Sequence, residues 1–321
     1  MKKEMQKVRF HLPDFSGKFR FNYVFASMLE NCPEYFRDGV EIASFYGTFP
    51  PAMWNGGRFQ GGTCDADFIK TVINTFNQKK IPLRFTFTNP LIEEKHLNDR
   101  FCNMILKLGE NDLNGVIVVS PVLEKYIRQH YPKYKITSST CKRITDIEKL
   151  DSELEKDYNI VVLDYDLNNH FDILEKIPHK EKCEILVNAC CEPNCPKRSE
   201  HYISIGKQQI AYYEHLLKNP RENFDSKKFA RENPSSTFSC NCMNRNIIDI
   251  KNLRTHITPD DIYEKYLPMG FNQFKIEGRT SNVLNLMETY FYYMIKPEYA
   301  DEARFKFIAN LVSNGVIKFN E

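Results

Sequence analysis

Short apolar runs alternate with amphipathic stretches along most of the chain. The runs are rich in β-branched and aromatic residues, as in GVIVVS at residues 115–120, and are typical of buried strands. The stretches between them, such as DADFIKTVINTFNQKK at residues 65–80, place apolar side chains at the spacing of a helix face. This alternation predicts a parallel sheet that is covered by helices on both faces.

The number of predicted strands sets the fold class. Eight runs qualify, and eight parallel strands over 321 residues favour an α/β fold of the (β/α)8 TIM barrel type over an open, doubly wound sheet. We expect the strands near residues 20–25, 40–46, 83–88, 115–120, 135–139, 159–164, 184–188 and 273–278. The first of them lies in FRFNYVFA, before a helix in ASMLENCPEYFRD.

Two segments are expected to lie outside the regular barrel. The weaker run LRTHI precedes a helix that has Thr258 as its N-cap and Pro259 in its first turn. Residues 218–240 are polar and interrupted by proline, which indicates a long loop after the seventh strand. The barrel is expected to span residues 1–295, with a C-terminal extension, residues 296–321, packed on it.

The charge of the chain is nearly balanced, with 44 Lys and Arg against 42 Asp and Glu. This balance provides no strong field for binding nucleic acid or a membrane surface. The amino-terminal stretch MKKEMQKVRFHLPDF is basic but lacks the apolar core of a signal peptide. No apolar run approaches the roughly 20 residues that span a bilayer. We therefore expect a cytoplasmic protein with no membrane partner, and its composition is compatible with oligomerisation.

Five of the ten cysteines form two groups. Cys190, Cys191 and Cys195 directly follow the predicted seventh strand, and Cys240 and Cys242 end the long loop that begins there. Loops that follow barrel strands meet over one face, where active sites form. We therefore expect a metal site on Cys191, Cys195, Cys240 and Cys242, with Cys190 as the alternative to Cys191.

Four thiolates suit either a tetrahedral zinc ion or a 4Fe–4S cluster. The spacings Cys-x3-Cys and Cys-x-Cys are less regular than the Cys-x2-Cys hairpins of zinc sites and favour the cluster. Lys197 and Arg198 would offset its negative charge. The other five cysteines are expected to be ordinary packing residues: Cys32, Cys64, Cys102, Cys141 and Cys183.

The last predicted strand carries three charged side chains in alternation. Lys275, Glu277 and Arg279 are two residues apart and therefore point to the same side. They could bind an anionic substrate or supply an acid, or Arg279 could simply pair with Glu277 or another nearby carboxylate. His201, which follows the first cysteine group, is a candidate proton donor, with a structural role as the alternative.

Four further residues are candidates for substrate binding. Glu41 opens the second strand, where a buried carboxylate would need a partner. Arg58 lies in the glycine-rich stretch WNGGRFQGG and offers a bidentate anion contact, although this stretch does not match a phosphate-binding loop. Asn89 and Asn188 lie at predicted strand ends.

Several catalytic patterns are missing. The chain has no convincing Ser-His-Asp or Cys-His arrangement and no His-Glu-x-x-His motif, which argues against ordinary hydrolysis. It also lacks the Cys-x3-Cys-x2-Cys triplet of radical SAM enzymes.

The segment ITPDDIYEKYLPMGFNQFKIEGR, with FKIEGR at Phe274 to Arg279, resembles the helix and final strand of the collagenase-like peptidases of family U32. VEIASFYG, ITSSTC and IVVLDYDLN are similar to earlier strands of that family, and LVNACCEPNCPKRSEHY resembles the cysteine loop of a divergent branch. The resemblance covers most of residues 20–295. It implies a barrel with a 4Fe–4S cluster on four cysteines, since better-understood members take part in oxygen-independent hydroxylation of ubiquinone precursors or RNA. Their cysteines are more widely spaced than those of this chain.

These observations favour an iron–sulfur oxidoreductase or hydroxylase-like enzyme that acts on a small molecule or an RNA base and receives electrons from a donor. The balanced charge argues against a large RNA substrate, although Lys197, Arg198 and Lys207 form a local basic group. Two alternatives remain: a peptidase-like hydrolase with structural zinc on the same cysteines, and a non-catalytic electron-transfer or scaffold protein.

Overall fold

The computed structural model describes residues 6–234 and 242–318. Its eight parallel strands form a closed barrel in the order of the chain, with β8 paired to both β7 and β1. The strands are β1 Val8–Pro13, β2 Val40–Gly47, β3 Leu83–Phe87, β4 Gly115–Val118, β5 Lys135–Ser138, β6 Ile160–Val162, β7 Cys183–Leu186 and β8 Gln273–Lys275. The predicted (β/α)8 barrel is confirmed, and seven strands lie where the sequence predicts them.

The first strand differs from the prediction. FRFNYVFA is part of helix α1, Phe19–Asn31, and β1 is the preceding run VRFHLP. The buried residues of α1 include Phe21, Val24, Phe25 and Met28, which recur at intervals of three and four along one helix face. The aromatic residues of this run therefore follow the helical period rather than the alternation of a strand.

The helices alternate with the strands up to β7. They are α1 Phe19–Asn31, α2 Ala66–Gln78, α3 Arg100–Gly109, α4 Pro121–His130, α5 Ile147–Leu154, α6 Phe171–Leu174, α7 Arg198–Lys218, α8 Ser226–Glu232, α9 Ile247–Ile250, α10 Pro259–Asp261, α11 Leu267–Met269, α12 Val283–Met294 and α13 Ala300–Ser313. A π-helical segment, Ile262–Tyr266, joins α10 to α11. No helix in the two described segments is both long enough and apolar enough to cross a membrane.

Helix α2 shows how the sequence pattern produces the outer layer. The side chain of Asp65 accepts a hydrogen bond from the Phe68 N–H and caps the helix. One face of the helix is buried against the sheet, and its buried residues are Ile69, Val72, Ile73 and Phe76. Phe76 packs against Phe45 of β2 with ring centroids 4.6 Å apart. The main core thus lies between the strands and the helices.

The inside of the barrel is polar. On β1, Phe10 points outward and packs against Phe274 of β8 at 6.0 Å between ring centroids. Its neighbour His11 points inward and contacts Ser44 and Gln273. Buried polar residues on other strands continue this interior, among them Arg84, Thr86, Thr137, Glu184 and Lys275. Side chains of opposite charge therefore fill much of the barrel.

The connection from β7 to β8 is the longest in the chain and contains α7 to α11. Residues 218–240, which we predicted to be a loop, include helix α8, and residues 235–241 lie outside the described part of the chain. LRTHI lies outside the barrel as predicted, and Thr258 caps the following helix by accepting a hydrogen bond from the Asp261 N–H. At the carboxyl end, Phe307 of α13 packs against Phe21 of α1 at 5.2 Å between ring centroids.

Candidate functional site at the barrel mouth

A cavity of about 100 Å³ lies at the carboxyl ends of the strands. Its walls include Tyr46 of β2, Thr86 of β3, Leu186 of β7 and Lys275 of β8, and loop residues beyond the strands complete the lining. In barrels of this type the carboxyl ends of the strands form the active site. The cavity is therefore the candidate site, and the end of the barrel at which these strands finish is called the mouth below.

The cysteines predicted from the sequence gather at the mouth. Cys190, Cys191 and Cys242 line the cavity, while Cys195 lies on the same loop and is half-buried. Cys240, the remaining predicted ligand, lies outside the described residues. The structure thus brings Cys242 of the second group to the same cavity as Cys190 and Cys191, although almost fifty residues separate them in the sequence.

The thiols are close enough to influence one another. Burial raises the pKa of Cys191 to about 12, and a hydrogen bond with Tyr165 opposes this shift. The thiolates of Cys195, Cys242 and Cys190 each raise the pKa of Cys191 further. Even so, no three His, Cys, Asp or Glu side chains in residues 6–234 and 242–318 are arranged to hold a single metal ion.

A buried arginine anchors the cysteine loop. Arg198, at the start of α7, is 2% exposed and contacts the carboxylate of Asp164 at 2.6 Å and that of Asp166 at 2.9 Å. Its guanidinium also stacks over the Tyr165 ring at 4.1 Å. Asp166 accepts a hydrogen bond from the Asn194 N–H at 2.8 Å. Arg198 is therefore neutralised by two aspartates of the loop that follows β6 rather than by the cysteines.

Glu277 joins three loops at the mouth. One carboxylate oxygen pairs with Arg58 from the glycine-rich loop, and the other accepts a hydrogen bond from the Cys190 N–H at 2.9 Å. The same Arg58 lies 3.4 Å from the Cys190 sulfur. Asn188 donates to the Glu277 carbonyl at 3.0 Å and accepts from the Glu277 N–H at 2.7 Å. Asn188 and Glu277 thus fix the cysteine loop relative to β8.

The glycine-rich loop approaches the end of β3 very closely. A Cβ added to Gly56 would lie 2.3 Å from the Thr88 carbonyl oxygen, which requires glycine at this position. The next residue, Gly57, has φ of +71°, a conformation that favours glycine. These two residues place Arg58 over the cavity. The glycines therefore allow close contact with the protein backbone, not with a phosphate.

Arg279 lies on the same side as Lys275 and Glu277, as the alternation predicts, and all three line the cavity. It does not pair with Glu277, which is bound by Arg58. Its Nη1 donates to Asn55 at 2.8 Å and to Thr86 at 3.1 Å. Its Nη2 donates to the Gly56 carbonyl at 2.5 Å. The acceptors of Arg279 in the described chain are therefore all neutral.

Lys275 belongs to a charged layer beneath the cavity. Its ammonium lies 3.1 Å from the carboxylate of Glu184, which Arg84 contacts at 2.6 Å and His11 at 3.4 Å. Burial lowers the pKa of Lys275 to about 8, although Glu184 opposes this shift. Burial would raise the pKa of Glu184, but the charges of Arg84 and Lys275 outweigh it and hold that pKa well below its usual range.

His201 of α7 also lines the cavity. Burial, followed by the charge of Arg58, lowers its pKa below the usual value. The imidazole is therefore neutral at neutral pH and suited to accept a proton rather than to act as a cation.

Two predicted substrate-binding residues lie elsewhere. Glu41 is at the amino end of β2, opposite the mouth, and pairs with Lys7 at 3.1 Å and Arg9 at 2.7 Å. Asn89 is fully buried and donates to the carbonyls of Met53 and Gly206. Glu41 is thus not part of the site, because a residue that opens a strand lies at the opposite end of the barrel. Asn89 instead holds the surrounding loops together.

Some cavity residues escaped the sequence analysis. Cys141, which we predicted to be a packing residue, lines the cavity directly after β5. Tyr165 and Tyr202 form aromatic walls, and Arg198 is buried rather than solvated. Their positions in the sequence could have identified two of them, because Cys141 and Tyr165 follow predicted strands within three residues and therefore lie at the mouth. Thiols, aromatic rings and cations therefore surround one cavity that could bind a small anionic molecule and exchange protons with it.

No family model matches this chain. An uncharacterized protease of Methanocaldococcus jannaschii is 38% identical over 61 residues, which are 17% of this chain and 18% of that protein. The match thus spans less than a fifth of the curated relative. A solved structure of a U32 peptidase aligns with 87% of this chain and 96% of its own, at 11% identity and a TM-score of 0.46.

Proposed function

We propose that this barrel is an oxygen-independent oxidoreductase or hydroxylase-like enzyme that holds a 4Fe–4S cluster at its mouth. The proposed ligands are Cys191, Cys195, Cys240 and Cys242. The substrate would occupy the adjacent cavity, and a separate electron donor would act from the cytoplasm.

The observation that carries the proposal is the grouping of thiols beside the cavity. Cys191 interacts electrostatically with Cys195 and Cys242, which come from different segments of the β7–β8 connection. Soft thiolates select iron–sulfur clusters or zinc over harder ligand sets. The spacings Cys-x3-Cys and Cys-x-Cys are less regular than the Cys-x2-Cys hairpins of zinc sites, which supports the cluster over zinc.

The surroundings also favour Cys191 over Cys190 as a ligand. The Cys190 sulfur lies 3.4 Å from Arg58, and its backbone is held by Glu277 and by Arg245, which donates to the Cys190 carbonyl at 2.9 Å. Cys190 thus has charged protein partners of its own, whereas Cys191 interacts with the Tyr165 hydroxyl and with the other thiols. Arg58 and Arg245 lie beside the group, and each is paired with a carboxylate, Glu277 and Glu192 respectively.

When bound, the cluster would supply electrons at the wall of the cavity. Side chains of the protein would orient the substrate and transfer protons. Arg279 and Lys275 would orient the substrate, and His201, neutral because burial lowers its pKa, would accept a proton from it. Glu277 is fixed by Arg58 and the Cys190 N–H, so it would position the two loops more than transfer protons.

The test is metal and sulfide analysis of protein purified without oxygen, together with its visible absorption spectrum. We expect about four irons and four sulfides per chain. Cys195→Ser and Cys242→Ser should lose them, while Cys64→Ser, which changes a thiol bonded to the Pro50 carbonyl, should keep them. Absence of iron from anaerobically purified protein would refute the cluster.

The same experiment separates the alternatives. One zinc without sulfide would favour a peptidase-like hydrolase with a structural zinc, the activity class suggested by the names of both matched proteins. A cluster that is reduced and reoxidised, but never turns over a candidate substrate with a reductant present, would favour an electron-transfer or scaffold protein.

A further inference from the structure

We propose that Arg279 anchors the carboxylate of a small organic acid, which is the substrate or a co-substrate bound in the cavity. This inference rests on the proposed function only in taking the mouth as the reaction site. It names the chemical class of the molecule that the site would receive.

Three of the cations that line the cavity have a carboxylate of the protein as a partner. Arg58 is neutralised by Glu277, and Arg198 is neutralised by Asp164 and Asp166. Lys275 contacts Glu184, which lies below it and also pairs with Arg84. Each of these cations therefore has a carboxylate of the protein within ion-pair distance.

Arg279 is the exception among the cations that line the cavity. No Asp or Glu in the described segments lies within ion-pair distance of it, and its acceptors are an amide, a hydroxyl and a backbone carbonyl. Asp14 is close enough to influence it, but the Asp14 carboxylate accepts from the Gly17 N–H, and burial raises the pKa of Asp14. Arg58 adds a like charge nearby.

An arginine held in this way is costly unless a counter-ion reaches it. Arg279 is half-buried, and a charge that is partly withdrawn from water without a counter-ion destabilises the fold; burial lowers the pKa of Arg279. Its guanidinium has five N–H donors, of which the described protein uses three. The remaining two can bind one carboxylate through two hydrogen bonds.

The charge and shape of the cavity select a carboxylate over a phosphate monoester. Arg279 supplies one positive charge that has no carboxylate of the described residues within ion-pair distance, which matches a monoanion better than a phosphate dianion. The cavity is also lined by Tyr165, Tyr202, Leu186 and Ile117, which suit an apolar or aromatic body. A cavity of about 100 Å³ fits a small molecule and excludes a folded polymer.

The experiment is calorimetric titration of the anaerobically purified protein with acetate, benzoate and phenyl phosphate. Acetamide and benzamide serve as neutral matches for the two acids. We expect benzoate to bind at least about 10-fold more tightly than benzamide, because charge-assisted hydrogen bonds are lost in the amide. Arg279→Gln should weaken benzoate binding about 10- to 100-fold, and Arg279→Lys should fall between, since lysine keeps the charge but loses the planar fork.

The matched control is Arg304→Gln. Arg304 pairs with Glu288 and Asp301 on the outer helices, and its replacement should leave benzoate binding unchanged. A second measurement on the unmodified protein removes any dependence on variant folding. Phenylglyoxal should modify Arg279, detected by mass spectrometry, and benzoate but not benzamide should protect it.

Four results would overturn the inference: no binding of either acid, equal binding of acid and amide, unchanged binding in Arg279→Gln, or tighter binding of phenyl phosphate. The outcome is independent of the cluster because iron and sulfide are measured in the same sample. Iron without acid binding would refute the acid site alone. Acid binding without iron would keep the acid site and refute the proposed cofactor.

Discussion

The two charged layers inside the barrel differ in how completely they are paired. In the lower layer, Glu184 is fully buried, and its carboxylate is contacted by Arg84, Lys275 and His11. In the upper layer, at the mouth, Glu277 forms an ion pair with Arg58, while Arg279 donates hydrogen bonds only to neutral acceptors. The charges of the lower layer are paired within the protein, although Lys275 also lines the cavity, whereas no carboxylate of the described residues lies within ion-pair distance of Arg279 in the upper layer.

This difference separates charges that serve folding from charges that serve binding. Removing a buried carboxylate that is surrounded by cations should strongly destabilise the fold, because those cations lose their partner. Removing an unpaired cation beside a cavity should destabilise the fold much less, because an unfavourable charge is lost with it. Stability measurements should therefore distinguish the layers even before a substrate is known.

The largest effect is expected from Glu184→Gln. The change leaves Arg84 and Lys275 buried without a counter-charge and should lower the free energy of unfolding by about 3–5 kcal/mol. The measurement is urea denaturation monitored by circular dichroism at pH 7. Glu288→Gln, which removes a partner of Arg304 on the surface, should cost less than about 1 kcal/mol. Equal losses in the two variants would contradict the distinction between the layers.

Gly56→Ala tests how the mouth is held in place. The added methyl would meet the Thr88 carbonyl, so the glycine-rich loop must shift, at a cost of about 1–3 kcal/mol. The shift should also move Arg58 away from Glu277. Gly61→Ala is the control, because its methyl would meet side chains and no backbone, the Phe59 ring at 3.3 Å and the Tyr212 hydroxyl at 3.7 Å, and it should cost less than about 1 kcal/mol. Thermal and urea denaturation of both variants would show whether the close contact between the glycine-rich loop and the end of β3 is needed for stability.

The pH dependence of stability should show whether His11, in the lower layer, is held neutral in the folded protein. Burial lowers the pKa of His11 to about 3, so the folded protein keeps this ring neutral while the unfolded chain protonates it below about 6.5. The unfolded state then binds more protons, and stability should fall as pH falls from 6.5, by up to about 1.4 kcal/mol per pH unit for this group.

His11→Gln should make this slope shallower between pH 6.5 and 5, where carboxyl groups of ordinary pKa titrate little. His256, whose pKa burial lowers to about 4, should supply part of the slope that remains, together with His201 and His96, whose pKa values burial also lowers. The exposed His130→Gln is the control and should leave the slope as it is. An unchanged slope in His11→Gln, measured by urea denaturation across this range, would argue that His11 is not held neutral.

The smallest change is expected from Arg279→Gln. Losing the unpaired charge should offset most of the loss of its three hydrogen bonds, so the free energy of unfolding should stay within about 1 kcal/mol of the wild type. Arg84→Gln makes the same chemical change in the lower layer and should cost at least about 2 kcal/mol more, because Glu184 then loses its nearest cation. Similar costs for both arginines would show that the upper layer is paired as fully as the lower one.

The sequence predicted the features that depend on local pattern. Seven strands, the position of the first cysteine group after β7 and the common side of Lys275, Glu277 and Arg279 follow from apolar runs and from the period of two along a strand. FRFNYVFA was predicted wrongly because its aromatic residues also satisfy the helical period of α1, and only burial against the barrel decides between them.

Features that depend on barrel closure were not predictable in the same way. Arg58 and Glu277 are more than two hundred residues apart, and no local pattern shows that they pair. The partners of Arg198 are likewise visible only when the loops after β6 and β7 meet. Glu41 is the opposite case, since its place at the start of a strand already assigned it to the end away from the mouth.

The position of Glu277 so late in the chain has a consequence for synthesis. The cysteine loop and the glycine-rich loop leave the ribosome long before the residue that joins them, and β8 is also the strand that closes the barrel between β7 and β1. Until that strand emerges, Cys190 lacks its backbone partner and Arg58 its counter-charge. The same few residues therefore end the assembly of the sheet and complete the mouth, so a nascent chain acquires its cavity in the last step of folding.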